Sequence, residues 1–499
     1  MRSGRVLFAA ALCGLLAFLP APGASEETAT GAIESSVVKV HVRANPPDLF
    51  SPWQKSGLQS ATGTGVVIEG GSILTSAHLA ENAVSVEVKR VGDPERYTAS
   101  VLHVGHDCDL ALLAVEDPRF HEGARALPLG ELPRPQDMVQ AYGFAIGGET
   151  VGVTAGIVSR VEISTYGHSL ERLLLAQIDA AMNPGNSGGP VVASGRLAGI
   201  AMQTLNEAEN VGYMIPVSVI QHFLRDASDG RYDGFPRLGA EFQDLESEAQ
   251  RKSLGMDKGQ GGTLVTQVDY GGPAWGVLEP GDVLTSLDGV AIASDMTVAW
   301  PRVGRVNFSE VYKSRQVGEE IRVGLLRDGK PVERTMRLTP HQFLVPGRRS
   351  QDEPEYLVFG GLVFQPLTVN YLLHLEPIPH ALATHALHQN VVTDGKSQLI
   401  LLQKVLPDAV NRGYQDWEDL VVATVDGVAP RNMEHLAEII DSARGPWVRI
   451  VTEDRARLTL SLEQARAANA SILAGFGISH DRSTGLRAAD RSRIARTEP

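Results

Sequence analysis

The chain has 499 residues, more than one hydrophobic core can serve, and the length predicts roughly three domains. Hydrophobic residues make up 43% and charged residues 21%, the balance of an ordinary soluble globular protein, while 51 glycines suit the many tight turns of a β-rich chain. The net charge of −14 argues against a nucleic-acid partner and against adhesion to anionic lipid.

The first residues read as a signal peptide. Arg2 and Arg5 form a basic start, Val6 to Leu19 an apolar stretch, and Ala21-Pro22-Gly23-Ala24 a cleavage site, so residues 1–24 are expected to be removed. The apolar stretch is short of the about 20 residues that a membrane span requires, although an uncleaved anchor stays open as the alternative. Cys13 and Cys108 are the two cysteines, so the mature chain keeps one thiol and no internal disulfide. Packing alone must hold its domains together.

From there the pattern is strand after strand. Residues 36–43, 64–69, 84–90, 97–104, 139–144, 151–162 and 195–203 each read as a strand ended by Gly, Asn, Asp or Pro signals. Helical spacing first appears at 216–227, so 34–228 is expected to be all-β with a terminal helix. The Asp, Gly and Pro residues of 229–236 mark a boundary, and a second unit of mixed strand and helix runs over 236–340. Another punctuated stretch, 345–355, precedes a third unit over 355–462, and 463–499 is a tail that opens as a helix and ends rich in arginine. The second and third units share an echo: DVLTSLDGV from Asp282 and DLVVATVDGV from Asp419.

Three segments carry chemistry. TSAHLA places His78 just after a strand-like run, CDLALLAV opens an apolar strand with Asp109, and NPGNSGGP surrounds Ser187 with glycines. A serine hydroxyl is a poor nucleophile until a base takes its proton, and that base needs a carboxylate to hold its tautomer. One Ser, one His and one Asp supply those parts. Glycine beside the nucleophile permits the turn that aims backbone N–H groups at a developing oxyanion; Gly185 and Ser187, with Asn186, are the candidate donors.

These three motifs, in the order His, Asp, Ser, resemble the HtrA/Deg serine proteases. GTGVVI before the histidine, DAAMNPGNSGGP around the serine and VGYMIPV after the barrels support the likeness. YGFAIGGETVGVTAGIVSRVE, two trailing domains and FGGLVFQPLT bring it closer to the plant-type Deg branch. The resemblance implies a mainly β chain: a chymotrypsin-like double β-barrel followed by two PDZ-like α+β domains. It implies an ATP-independent endopeptidase with His78, Asp109 and Ser187 as triad, acting on unfolded or damaged exported proteins. Trimers or hexamers follow from the same likeness, as does a bacterial periplasmic location, which also suits the missing disulfides. A rival of the same fold would hold misfolded chains without cutting them.

In relatives that cut after Lys or Arg, an acid stands six positions before the nucleophile. Here Ala181 stands there, followed by Met182, while Asp179 comes two residues too early. An apolar pocket is therefore expected, walled by Ile200, Ala201 and Thr204, with cleavage after small or medium aliphatic residues. RLGAEFQDL resembles a PDZ carboxylate loop in which Leu238, Gly239 and Ala240 offer N–H groups to a peptide C-terminus. The third unit shows no comparable loop. His103 and His106, and the cluster His374, His380, His385 and His388, are read as surface or packing residues, with spacings that match no common metal site. Cys108 is read as a buried small hydrophobe. No motif calls for a cofactor or a metal.

Overall fold

Valine alternation is what makes the first strand. In VVKVHVRA, the side chains of Val38, Val40 and Val42 point one way and pack with Val86, Val88, Leu113 and Phe120. In the computed structural model, which describes residues 31–145, 148–202, 212–348 and 353–489, this strand opens a closed six-stranded barrel. Its members are β1 (Val37–Ala44), β2 (Gln59–Val67), β3 (Ile73–Thr75), β4 (Ala83–Arg90), β5 (Tyr97–Gly105) and β6 (Leu110–Val115). A second closed barrel follows: β7 (Met138–Gly143), β8 (Gly152–Thr165), β9 (Arg172–Ile178), β10 (Pro190–Ala193), β11 (Arg196–Met202) and β12 (Gly212–Pro216). A terminal helix, Val217–Asp226, closes the unit with Val219, Ile220 and Phe223 buried. Closure pairs every strand on both sides, so neither barrel leaves an open edge. The mainly β, double-barrel plan is present as the resemblance implied. The segment read as a signal peptide lies outside the described residues.

The second unit builds a main sheet and a separate hairpin, Thr297–Trp300 with Gly304–Asn307, and the third unit builds one sheet. The first runs in the order Ala240–Gln243, Thr263–Val268, Val283–Leu287, Glu320–Arg327, Lys330–Arg337. The other runs Leu357–Phe359, Leu362–Pro366, Ile400–Val405, Leu420–Val425, Trp447–Thr452, Arg457–Ser461. The sequence echo is a structural repeat. Asp288-Gly289 and Asp426-Gly427 all have positive φ, between 48° and 82°, the mirror-image turn that suits the twist of a hairpin. Asp288 exchanges hydrogen bonds with the backbone of Arg322, and Asp426 does the same with Arg449. The packed third unit extends past 462: the helix Leu462–Gly475 buries Ala465 and Ile472, and Leu486 joins the core.

Two features of the core position the site. One continuous apolar cluster runs from Val66, Leu74 and Leu110 through Val139, Ile178 and Met214 to Leu238, Val265 and Ile321, so the second unit shares a core with the barrels. The long β1–β2 connection instead reaches the third unit, where Leu49 and Trp53 pack into its clusters. Among the described residues no helix is long and apolar enough to cross a membrane.

Candidate active site

β3 and β6 pair antiparallel with Thr75 opposite Ala111, which sets the residues after β3 against those before β6. His78 lies in the short helix Ala77–Ala80 that follows β3, and the Ala77 N–H donates to the Asp109 carbonyl at 3.1 Å. Asp109 is 1% exposed and has φ of 53°, a left-handed conformation that turns its carboxylate back under His78. Its Oδ1 accepts from the His78 backbone N–H at 2.9 Å, and both oxygens accept from Nδ1, at 3.0 and 2.9 Å. That bond puts the ring proton on Nδ1 and leaves Nε2 with a free lone pair. Burial alone would push the His78 imidazolium down, but the charge and hydrogen bond of Asp109 outweigh it, and the pKa lies above 6.5. Burial would raise Asp109; the charge of His78 and its hydrogen bond hold the carboxyl below its usual value.

Ser187 sits between β9 and β10, 7% exposed. Its loop is tied to the first barrel by Thr64 of β2, a fully buried residue. The Thr64 N–H donates to the Ser187 carbonyl at 3.0 Å, and its hydroxyl donates to the Gly185 carbonyl at 2.7 Å. The same hydroxyl accepts from Phe144 N–H at 2.9 Å, and the Thr64 carbonyl accepts from Thr75 Oγ1 at 2.7 Å. Gly188 has φ of +82°, and a Cβ there would collide with the Thr64 carbonyl and the Thr75 hydroxyl and lie 3.0 Å from Ser76 N. The nucleophile loop thus abuts the strand end that leads to His78. No hydrogen bond joins Ser187 to His78; free serine hydrolases often hold this pair loosely until substrate arrives.

The donors divide. Asn186 N–H is already spent on the Asn183 carbonyl at 3.0 Å, whereas the N–H groups of Gly185 and Ser187 donate to no described residue. Gly185, at φ of 100°, supplies the turn. The pocket residues divide as well. Ala181 is exposed and Met182 half-buried beside Gly212. The Asp179 carboxylate accepts from Ile157 N–H of β8 at 2.6 Å, an engagement that holds it to that strand. Ile200 and Ala201 are buried in β11 and belong to the shared apolar core; as consecutive residues they face opposite sides of the strand, and both sides are covered from Leu197 to Met202. The Ala201 carbonyl nevertheless accepts from Gly188 N–H at 3.0 Å and so braces the serine turn. Thr204 lies outside the described residues.

Leu238 and Gly239 leave their N–H groups free of any described acceptor, while their carbonyls accept from Ala274 and Asp269, both at 2.9 Å. Gly239 has φ of +68°, and a Cβ there would lie 3.1 Å from Gly272 Cα, so only glycine fits without strain. Ala240 opens the strand beside this loop, opposite Val268. In the third unit the matching place is filled from within. Gly360-Gly361 form a hairpin turn, with Gly360 N–H donating to Asn469 Oδ1 at 2.9 Å and Asn411 Nδ2 donating to the Gly360 carbonyl at 3.0 Å.

Several neighbours escaped the sequence reading. His168, from the β8–β9 turn, stacks obliquely near His78 with ring centres 6.0 Å apart, and its Nε2 hydrogen-bonds His106 Nδ1 at 2.9 Å. Burial pushes His168 down to about 3, so it stays neutral beside the imidazole. Thr64 gave one faint signal, a hydroxyl inside an apolar strand between two glycines. Cys108 is fully buried, and burial raises its thiol pKa well above the usual range, which removes thiolate reactivity. No group of three or more potential metal ligands occurs among the described residues. His385 instead pairs with Glu453 at 2.8 Å.

Comparison with known proteins agrees with this geometry. Residues 63–200 match the trypsin-like peptidase domain family, and residues 236–338 and 345–485 each match a PDZ domain family. Protease Do-like 2, chloroplastic, of Arabidopsis thaliana is 37% identical over 464 residues, covering 91% of this chain and 75% of that protein. Protease Do-like 4, mitochondrial, of the same plant is 34% identical, covering 91% of this chain and 86% of that one. Among solved structures, the HtrA-type protease AlgW with tripeptide aligns at 25% identity and a TM-score of 0.50, over 66% of this chain and 99% of its own. The likeness extends through the barrels and both trailing units, and on it this chain belongs to the HtrA/Deg family of serine endopeptidases.

Proposed function

We propose that Ser187 is the nucleophile of this protease, with His78 as its general base and Asp109 as the group that orients the base. The observation that carries the reading is the double hold of the Asp109 carboxylate on His78 Nδ1, which leaves Nε2 as the only ring nitrogen able to accept a proton. Ser187 Oγ attacks the scissile carbonyl while Nε2 takes its proton. The free N–H groups of Gly185 and Ser187 then stabilise the oxyanion, and His78 returns the proton to the leaving amine. Water repeats the cycle on the acyl-enzyme.

The substrates we infer are unfolded or damaged exported proteins, cleaved after small or medium aliphatic residues. Support comes from Ala181 at the position where basic specificity needs an acid, and from the engagement of Asp179 by β8. The chain carries no nucleotide-binding loop, so the substrate's own instability supplies the unfolding. The loop Leu238-Gly239-Ala240 takes peptide C-termini, trimers or hexamers are the working assembly, and the compartment lies across a membrane, in our reading the bacterial periplasm. Covalent labelling with a fluorophosphonate is the direct test. The label should map to Ser187 and vanish, with casein degradation, in Ser187→Ala; labelling elsewhere, or a fully active Ser187→Ala, overturns the assignment.

A further inference from the structure

We propose that the second PDZ domain forms one wall of the substrate cleft and reads the polypeptide on the leaving-group side of the scissile bond, with Leu373 as its apolar contact. The inference rests on the proposed role of His78. A cleft of about 460 Å³ has His78, Leu79 and Glu81 on the barrel side and Arg348, Leu373 and His374 on the other. Leu373 and His374 directly follow the helical turn Val369–Leu372 of the second PDZ domain, and Arg348 comes from the strap at the start of that domain's matched span, 345–485.

That wall is anchored on both flanks of His78. Arg348 pairs with Glu81 at 3.2 Å and donates to the His168 carbonyl at 3.3 Å, and His168 is the ring that neighbours His78. The β1–β2 connection holds the same domain. Gln365 Nε2 donates to the Leu49 carbonyl at 3.2 Å, Phe50 packs on Tyr371 at 5.6 Å, and Trp53 packs on Tyr356 at 5.9 Å. Lys404 lies over the Trp53 ring at 5.2 Å.

The occupant follows from the chemistry of His78. The leaving amine receives its proton from this imidazole, so the chain beyond the cut departs past His78 and the first barrel. The candidate pocket for the residue before the cut, at Ala181 and Met182, belongs to the second barrel. The cleft lining is mixed, with Leu49, Phe50, Leu79 and Leu373 as its larger apolar side chains, and Leu373 is 42% exposed there. An extended segment bearing apolar residues after the cut would cover it. His374 donates its Nδ1 proton to the Asn370 carbonyl at 2.8 Å, which leaves Nε2 as an acceptor suited to a peptide N–H.

Full-length Leu373→Glu and Leu373→Ala, assayed with an internally quenched peptide library varied at the three positions after the cut, test the proposal. In Leu373→Glu, kcat/KM should fall about tenfold for peptides with apolar residues there, with a smaller fall in Leu373→Ala, and the preference before the cut should not move. Identical profiles overturn the proposal. So does a change confined to the residue before the cut, or an equal loss for every peptide, which would make the domain a gate. Labelling of Ser187 by fluorophosphonate in each variant separates this question from the assignment of the nucleophile: wild-type protein that fails to label there overturns the triad and the cleft's direction with it, whereas labelled variants with identical profiles overturn the wall alone.

Discussion

Thr64 carries more of the site's geometry than its place in the sequence suggests. Its hydroxyl serves both barrels, donating to Gly185 and accepting from Phe144. Thr64→Val keeps the shape but strands the buried Phe144 N–H, at about 1–3 kcal/mol, and the half-buried Gly185 carbonyl at less. Thermal unfolding should shift down by several degrees, and kcat should fall with little change in KM, because the freed Gly185 turn no longer aims its N–H. Unchanged kcat in a folded variant would show that the hydroxyl only supports the fold. The His78–Asp109 pair sets a pH dependence whose sign follows from the raised imidazole pKa. Activity needs neutral His78, so kcat/KM should be full at alkaline pH and fall as pH drops through a value above 6.5. Asp109→Asn removes the carboxylate, so the acid limb should move to lower pH while kcat falls by about 10⁴. Stability runs the opposite way: the raised pKa stabilises the fold below pH 6.5, and that contribution is lost as pH rises through the folded-state value.

At the scale of elements, the segment 229–236 is more than punctuation. The Tyr232 hydroxyl donates to the buried carboxyl of Asp107, Phe235 N–H donates to its other oxygen at 3.1 Å, and Ser169 Oγ donates to the Asp107 carbonyl at 2.8 Å. Burial raises the Asp107 pKa, and Cys108 Sγ lies 3.4 Å from the same hydroxyl. The linker is thereby latched two residues from Asp109. Tyr232→Phe takes one donor from a buried carboxyl and should cost about 1–3 kcal/mol in urea unfolding, with kcat reduced; an unchanged midpoint would show that the latch is slack. The carboxylate loop makes a second prediction. Gly239→Glu places a side chain at φ of +68° against Gly272 and sets a competing negative charge beside the free N–H groups. Calorimetric titration with a peptide ending in an apolar residue should show weakened binding, by tenfold or more.

Over the whole molecule, the two PDZ domains are attached in different ways. The first shares its core with the barrels and is fixed by the Arg237–Glu171 ion pair, while the second is held through the β1–β2 connection and the Arg348 strap. Deleting 341–499 should lower the order of assembly measured by light scattering and uncover Leu49 and Trp53, so the truncated protein should also bind a hydrophobic dye. An assembly of unchanged size would remove the second PDZ domain from the oligomer contact.

The strands, the two trailing units and the motifs that mark the family were legible in the sequence because period-two alternation, Asp-Gly turns and a Gly-rich serine loop act within a few residues of themselves; the end of the third unit was not, since its packed helix runs past 462. Asp288-Gly289 and Asp426-Gly427 show the local rule, one turn written twice and folded twice. What brings Ser187 toward His78 is of another kind. Thr64, His168 and Arg348 act across separations of 121, 62 and 267 residues to Gly185, His106 and Glu81, and only the packing of two closed barrels and a returning third domain creates those contacts. The same packing buried both Ile200 and Ala201, neighbours whose side chains leave β11 on opposite faces, because a strand's faces are covered only by what the tertiary fold brings against them.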